Sequence, residues 1–487
     1  MGEVGEMFDV VVVGCGIAGL SAATAAHEAG ARVLVLERAP REERGGNTRY
    51  TEAFLRMKNE TEVADDFAEM FLRNSGWYPD PELVADTARD RENWPGVVRA
   101  LAMTDAEVIA AFADNAGPTL AWLRDHGIRF EVAAPPFLTT STSRLAPSGG
   151  GLALVETLAD GLEAAGVEIR YQTTARGLHI DDNGAVAGVH IVGEGNRPQT
   201  IAAGAVILAC GGFEGSIEMQ TRYIGPRAAY LRPIARGGHY NKGEGIQMAL
   251  DIGAAPAGEF GKFHAEPMDP RSGKAEAAIF AFPYGILVNK AGERFVDEAP
   301  ATVDATYERI TRQIFEQPDG IAWAIFDAKL ADVPNYQMAI RTDQPPIEAD
   351  NLAGLSAQIG VPAESLAATV EAYNAACMPG AFRALEVDGL STTGLIPKKS
   401  NWARPLDQPA YQAYPIIAAN VLTFGGIKVD CDARAVNQDG ETIPGLYVAG
   451  EPMGIYYDNY VGSTSVLRGA VFGRLAGQHA GRRANTP

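Results

Sequence analysis

The sequence predicts an α/β fold with a parallel sheet at its centre, and three observations near the N-terminus predict it. Asp9 is followed by four valines, Val10 to Val13, a β-branched run that suits a buried strand. A glycine triplet, Gly14, Gly16 and Gly19, follows at once. A second apolar run, Val33 to Leu36, then ends in an acidic residue, Glu37.

Each element has a physical reason. Gly14 allows a tight turn after the first strand, and Gly16 lets the backbone approach a pyrophosphate. Gly19 lets the following helix, expected over Leu20 to Ala29 and led by Ala18, pack closely on the sheet. The N-terminus of that helix offers free N–H groups and a positive dipole end to phosphates. Glu37 suits a ribose 2′-hydroxyl and repels a 2′-phosphate. Strand, triplet, helix, strand and acid in register predict a Rossmann-type dinucleotide-binding unit.

Bulk properties agree with an enzyme of this kind. At 487 residues the chain can hold two to four domains and bury a large core. Its net charge of −20 argues against nucleic acid and against an anionic membrane surface. Four cysteines occur, none in a CxxC pair, so no disulfide framework, zinc site or iron–sulfur cluster is expected, and no metal site of any kind. The first ten residues lack a basic segment followed by an apolar one, so no signal peptide is expected. No apolar run reaches the ~18–20 residues that span a bilayer. The expected address is cytoplasmic and not membrane-spanning.

Four later segments say which dinucleotide. Gly45-Gly46-Asn47-Thr48 follows Arg38 closely and offers clustered backbone N–H groups and small polar side chains. An apolar strand over 203–209 ends in Gly211-Gly212, where backbone can pass close to a ligand. Near the C-terminus, 443–449 repeats that design and ends in Gly450-Glu451. Gly462-Ser463-Thr464-Ser465-Val466 then precedes an Ala/Gly-rich amphipathic helix running to about His479, whose N-terminus can face the electron-rich end of a flavin.

These blocks resemble the FAD-binding blocks of the fumarate reductase/succinate dehydrogenase flavoprotein superfamily, which includes the 3-ketosteroid dehydrogenases. Within it the chain is most similar to the FAD-dependent tricarballylate dehydrogenase group. The resemblance extends over 44–52, 240–250, 285–298, 320–329 and 469–474. It implies non-covalent FAD, since the Gly45–Thr48 loop holds no Cys or His. The expected cofactor-binding set is Gly14, Gly16, Ala18, Gly19, Glu37, Arg38, Gly45, Gly46, Asn47, Thr48, Ala175, Gly211, Gly212, Gly450, Glu451, Ser463, Ser465 and Val466. The expected architecture is a Rossmann-type FAD-binding domain, residues 1–262 and 424–487, with an inserted α+β capping domain over 263–423. Asp65 to Arg129, with apolar positions such as Phe67, Phe71 and Leu72, is expected to be a helical excursion. Asp182-Asn183-Gly184 is expected to turn a hairpin.

Chemistry is expected where cap meets flavin. Fumarate reductases of the family use an arginine proton donor with an Arg–Glu relay, and by the shared Gly-x-Arg-Phe-Val block these positions fall on Thr302, Ala278 and Ala281. Paired substrate-binding histidines fall on Val421 and Leu422, so fumarate reduction by that route is not expected. Tyr460 stands where the family's carboxylate-binding arginine would be, as in the ketosteroid dehydrogenases. Its hydroxyl can donate to a substrate carbonyl oxygen as enolate charge builds. The expected reaction is dehydrogenation of a Cα–Cβ bond, by α-proton abstraction and hydride transfer to flavin N5. His264 and Tyr284 are candidates for the base, with His239 and Tyr240 behind them. The substrate is expected to be a small polycarboxylate, which Arg144, Arg236 and Arg468 could bind, or a cyclic ketone or oxo-acid. An external electron acceptor is needed: a quinone, an iron–sulfur protein or oxygen. A flavoprotein subunit of an electron-transfer pair is the alternative reading.

Overall fold

The structure is a computed structural model that describes residues 6–74, 80–87, 89–132 and 144–484. Its first strand, Met7–Val13, sits at the centre of a sheet with Val33–Leu36 and Pro198–Leu208 on either side, both parallel to it. Glu168–Arg170 extends the sheet beyond Val33–Leu36, and Thr442–Val448 extends it beyond Pro198–Leu208, again in parallel. Val10, Val11 and Val12 are fully buried. Burying each contributes roughly 1.5–3 kcal/mol. The strands around Asp182–Gly184, Thr174–Ile180 and Val186–Val192, pair antiparallel and join the same sheet.

Two helices pack against one another over this sheet. Ile17–Glu28 starts three residues before the helix expected from the sequence, and Ser465–Ala484 lies along it. The close approach depends on small residues. A Cβ on Gly473 would lie 2.3 Å from the Ala18 carbonyl oxygen, and one on Gly477 would lie 2.1 Å from that of Ala22. The excursion after residue 65 is helical over Phe67–Arg73, Pro81–Asp86, Gly96–Ala100 and Ala106–Asp125, its remainder lying partly outside the described residues. Phe67 and Phe71 are buried there, but Leu72 is 59% exposed: it lies next to Phe71 in sequence, on a different face of the short helix.

A second, mostly antiparallel sheet is organised by one long strand, Tyr411–Thr423. Phe263–Met268, Ile321–Phe326 and Ile347–Ala349 pair with it, and Ile286–Val288 pairs with Ile321–Phe326. This sheet also takes in Arg232–Pro233, ahead of residue 263. Helices Val303–Phe315, Leu352–Ile359 and Ala363–Ala376 accompany it. Among the described residues, no helix is long and apolar enough to cross a membrane.

Candidate active site

Strand register decides where a ligand can sit. Val13 is level with Leu36 and Leu208, and Leu208 with Val448, so four parallel strands end together. Their continuations, Gly14, Glu37, Gly211 and Gly450, therefore converge on one edge, where open α/β sheets bind ligands. A cavity opens there. Of the expected cofactor residues, Gly14, Gly16, Ala18, Glu37, Arg38, Gly45, Gly46, Asn47, Thr48, Ala175, Gly211, Gly450, Glu451, Ser465 and Val466 line it.

Three expected residues do not. Gly19 is the contact between helix and strand, since a Cβ there would lie 1.9 Å from the Gly14 carbonyl oxygen. Gly212 makes room for a carboxylate: its Cβ would lie 2.1 Å from Glu451 Oε1. Ser463, at φ +64°, lines a neighbouring cavity instead, and its carbonyl accepts from Arg56 N at 2.8 Å.

The walls of the first cavity fit FAD. Glu37 Oε2 accepts from Cys15 N at 3.0 Å and Oε1 accepts from Ala39 N at 2.8 Å. The carboxylate is thus held rigidly, with lone pairs left for ribose hydroxyls. Burial pushes its pKa above the ordinary value. Gly16 gives the following helix no side-chain cap, and Ile17 N donates to Thr48 Oγ1 at 3.2 Å, tying the two loops together. A Cβ on Gly46 would meet no atom within 4 Å, so its bare backbone can take a close ligand. Burial raises the Cys15 thiol well above its ordinary pKa and pushes Cys210 up to about 12, so neither is a nucleophile toward the cofactor.

A buried polar cluster backs this cavity. Asn47 Nδ2 donates to Glu214 Oε1 at 2.6 Å and to the Val421 carbonyl at 3.0 Å. Asn241 Nδ2 donates to the same Glu214 oxygen at 2.5 Å. Glu451 Oε1 accepts from Thr423 N at 2.8 Å and from Thr423 Oγ1 at 3.1 Å. Burial raises both carboxyls above their ordinary pKa, and Glu451 raises Glu214 further.

A second cavity adjoins the first, with Thr51, Val421, Ser465 and Val466 in both walls. His264 and Tyr460 meet here, ring centroids 4.4 Å apart. The Tyr460 hydroxyl accepts from Thr464 N at 3.1 Å and Ser465 N at 3.0 Å, and donates to Ser465 Oγ at 2.9 Å. It therefore caps the helix Ser465–Ala484, and two amides on the phenol oxygen polarise its O–H toward donation. His264 is buried, and both ring nitrogens are engaged: Nδ1 lies 3.0 Å from Glu308 Oε2 and Nε2 lies 3.2 Å from the Tyr307 hydroxyl. With Nδ1–H donating to the carboxylate, Nε2 accepts from Tyr307. Arg312 Nη2 holds Glu308 from the other side at 2.5 Å. His264 is thus a link between a phenol and a carboxylate, and not a base open to a substrate.

Other expected residues are placed elsewhere or engaged. Tyr284 reaches neither cavity wall: its hydroxyl donates to the Ala384 carbonyl at 2.7 Å and its ring packs on Trp402. Burial also raises its pKa, which disfavours a base. Arg144 lines the second cavity but gives one nitrogen to both Asp304 oxygens at 2.8 Å. Arg236 pairs with Glu43 at 2.5 Å, and His239 lies beside it in a separate cavity. Tyr240 lines the first cavity and also donates to Glu43 at 2.5 Å. Arg468 is buried, donating to the Met453 carbonyl at 3.1 Å. Thr302 is the residue before the helix Val303–Phe315 and lies outside both walls.

Sequence reasoning did not single out Glu52, Glu266, Glu276, Asp304, Tyr307 or Arg341, all in the wall of the second cavity. One signal was present. Asp304, Tyr307, Glu308, Thr311 and Arg312 recur at the i, i+3, i+4, i+7, i+8 spacing of a single helix face.

The comparisons with known proteins agree with this geometry. A family described as FAD binding domain matches residues 9–466. The chain is 31% identical to the 3-oxosteroid 1-dehydrogenase of Mycobacterium tuberculosis, over 69% of this chain and 64% of that enzyme, just under two thirds of its length. It is 25% identical to the vinyl phenol reductase of Lactiplantibacillus plantarum, over 98% of this chain and 96% of that one. Among solved structures it resembles the open conformation of a flavocytochrome c3 fumarate reductase (TM-score 0.73, 23% identity, 99% of this chain and 80% of that one). It also resembles the 3-ketosteroid-Δ4-(5α)-dehydrogenase of Rhodococcus jostii RHA1 in complex with 4-androstene-3,17-dione (TM-score 0.68, 25% identity, 99% and 98%). With a dinucleotide cavity at the strand ends and a family match over nearly its whole length, the chain belongs to the FAD-binding-domain family and is an FAD-dependent oxidoreductase acting on CH–CH groups.

Proposed function

We propose that this enzyme dehydrogenates a Cα–Cβ bond next to a ketone, with the substrate in the second cavity, between residues 263–423 and the FAD-binding body. The observation that carries the reading is Tyr460: a capped, polarised hydroxyl at a helix N-terminus, in the wall of a cavity adjoining the cofactor's. FAD, when bound, supplies the two-electron redox chemistry. The chain's residues do the rest. The Tyr460 proton, which rests on Ser465 Oγ, turns to the carbonyl oxygen when substrate binds, and that bond strengthens as the α-carbon loses its proton. Tyr307 is the entry to a proton relay. Its oxygen can take the α-proton while its own passes to His264 Nε2, with Glu308 steadying the resulting imidazolium.

Charge favours a neutral substrate over a tricarboxylate. Arg144 is engaged by Asp304, and Arg341 lies between Glu52 at 3.1 Å and Glu276 at 3.5 Å. A polycarboxylate would therefore find both of these cations already paired. Two of the relatives point the same way by their names, a 3-oxosteroid dehydrogenase and a vinyl phenol reductase, while others are named for fumarate or acrylate. The near full-length match to the second supports a reading in the opposite sense, reduction of a conjugated C=C. Electrons would pass to or from an external quinone, iron–sulfur protein or oxygen.

An anaerobic bleaching screen of the FAD-loaded enzyme tests the proposal. Saturated cyclic ketones should bleach the flavin, and tricarballylate should not. Bleaching by polycarboxylates alone would overturn it.

A further inference from the structure

The second cavity contains an acceptor that the reaction at Tyr460 does not use. Glu266 stands two residues after His264, on the strand Phe263–Met268, and both line the cavity. Among the described residues, Glu266 Oε2 is buried and has no hydrogen-bond partner. Its carboxyl and phenol neighbours have partners, and the other unpaired buried wall atom among the described residues is a donor, Arg144 Nε. Glu276 has Thr51 and Arg341, Glu52 has Arg341, Asp304 has Arg144, and Tyr307 has His264. A buried carboxyl oxygen left without a donor costs about 1–3 kcal/mol or more, and natural folds keep few such groups without a functional reason.

Resting on the ketone reading above, we infer that Glu266 is a specificity-determining residue, and that the substrate carries a second polar group, a hydroxyl donor, that is bound by Glu266 Oε2 while its carbonyl is bound by Tyr460. The substrate class is then a hydroxylated ketone and not a plain one. The charged and titratable groups facing Glu266 agree. Glu276 and Glu52 oppose a further negative charge there, and Arg341 is already shared between them, so a neutral donor suits the site better than an anion. Burial raises Glu266 above its ordinary pKa. A carboxyl in either state keeps an oxygen that can accept from a hydroxyl.

The test uses the FAD-loaded enzyme and two probes of nearly equal shape, 4-hydroxycyclohexanone and 4-methylcyclohexanone. Binding is read as the perturbation of the flavin absorption spectrum, and turnover separately as anaerobic bleaching. The wild type should bind the hydroxyl probe about tenfold more tightly or better, the scale of one satisfied buried hydrogen bond. Glu266→Leu should reverse that order, binding the methyl probe more tightly. Glu266→Gln, which keeps an acceptor oxygen, should retain most of the preference. Equal affinity for the two probes, binding of neither, or a Glu266→Leu enzyme that weakens both alike would overturn the inference. The two readings fail separately. Hydroxyl-selective binding without bleaching would sink the ketone dehydrogenation, and bleaching by both probes without selectivity would sink the role of Glu266.

Discussion

Replacing Tyr460 with Phe removes one oxygen that serves two purposes, and the structure separates their magnitudes. The oxygen accepts from Thr464 N at 3.1 Å and Ser465 N at 3.0 Å, which is the work of a helix cap. Losing a cap costs about 0.5–2 kcal/mol, and in a chain of this size that shifts Tm by no more than a few degrees. FAD content should hold, because none of the residues that grip Glu37 or the Gly45–Thr48 loop touches this hydroxyl. Catalysis should suffer far more. Removing one donor that stabilises developing oxyanion charge costs roughly 10²–10³-fold in kcat. KM should change little, since the bond is stronger in the transition state than in the ground state. The assay is steady-state dehydrogenation with an artificial acceptor, alongside thermal unfolding and the flavin-to-protein ratio. A variant with normal kcat and a lowered Tm would show that Tyr460 is only a helix cap, and the ketone-polarising role would be wrong.

Three further outcomes are expected. Acid precipitation should release FAD into the supernatant, because Cys15 and Cys210 are held as thiols; flavin retained in the pellet would contradict this. Assayed with reduced viologen, fumarate should turn over negligibly, since Val421 and Leu422 offer it no hydrogen bonds and Arg144 is already paired; rapid turnover would refute the reading of the second cavity. Glu276→Gln should change how stability depends on pH. Burial and the nearby Glu266 push Glu276 up to about 8, so the folded state binds its proton more tightly than the unfolded state. Between the ordinary carboxylate range and about pH 8, stability must then fall as pH rises. The variant should therefore raise Tm more at pH 8 than at pH 5, and an equal shift at both would mean that the carboxyl is not held protonated.

The cofactor cavity was legible because its residues have fixed local meanings. A glycine after a strand, an acid at the end of the next and paired glycines at two later strand ends each report a backbone event within a few positions. Gly212 and Ser463 were misplaced by one layer for the same reason. The sequence shows that small or turning residues are needed there, but not whether a ligand or another side chain fills the space, and at Gly212 it is Glu451. The second cavity was mostly illegible, because its wall is assembled from segments far apart in the chain: Thr51 to Phe54, Arg144, His264 to Glu266, Glu276 to Phe280, Asp304 to Tyr307, Arg341 and Tyr460 to Val466. Tyr284 shows the opposite error. A tyrosine in a Pro-Tyr-Gly turn ahead of a strand was a candidate base, yet here the phenol is satisfied by the Ala384 carbonyl within the second sheet's surroundings. His264 lines the second cavity, but its surroundings are set by Glu308 and Tyr307, more than forty residues downstream.

One helix ties the two cavities together. Ser465, the first residue of Ser465–Ala484, lines both of them, and the hydroxyl of Tyr460 lies on its terminal amides. The same positive dipole end therefore serves the cofactor on one side and the polarised phenol on the other. Such an arrangement works only if the helix cannot slide. Gly473 and Gly477 lock it against Ile17–Glu28, whose own N-terminus faces the first cavity beside Gly14 and Gly16. The two helix ends thus hold a fixed spacing, and a larger residue at either glycine would push them apart. On the proposed reading, a cofactor at one terminus and a substrate carbonyl at the other would be held in a set relation before either arrives. That preorganisation is what a transfer of electrons between them requires.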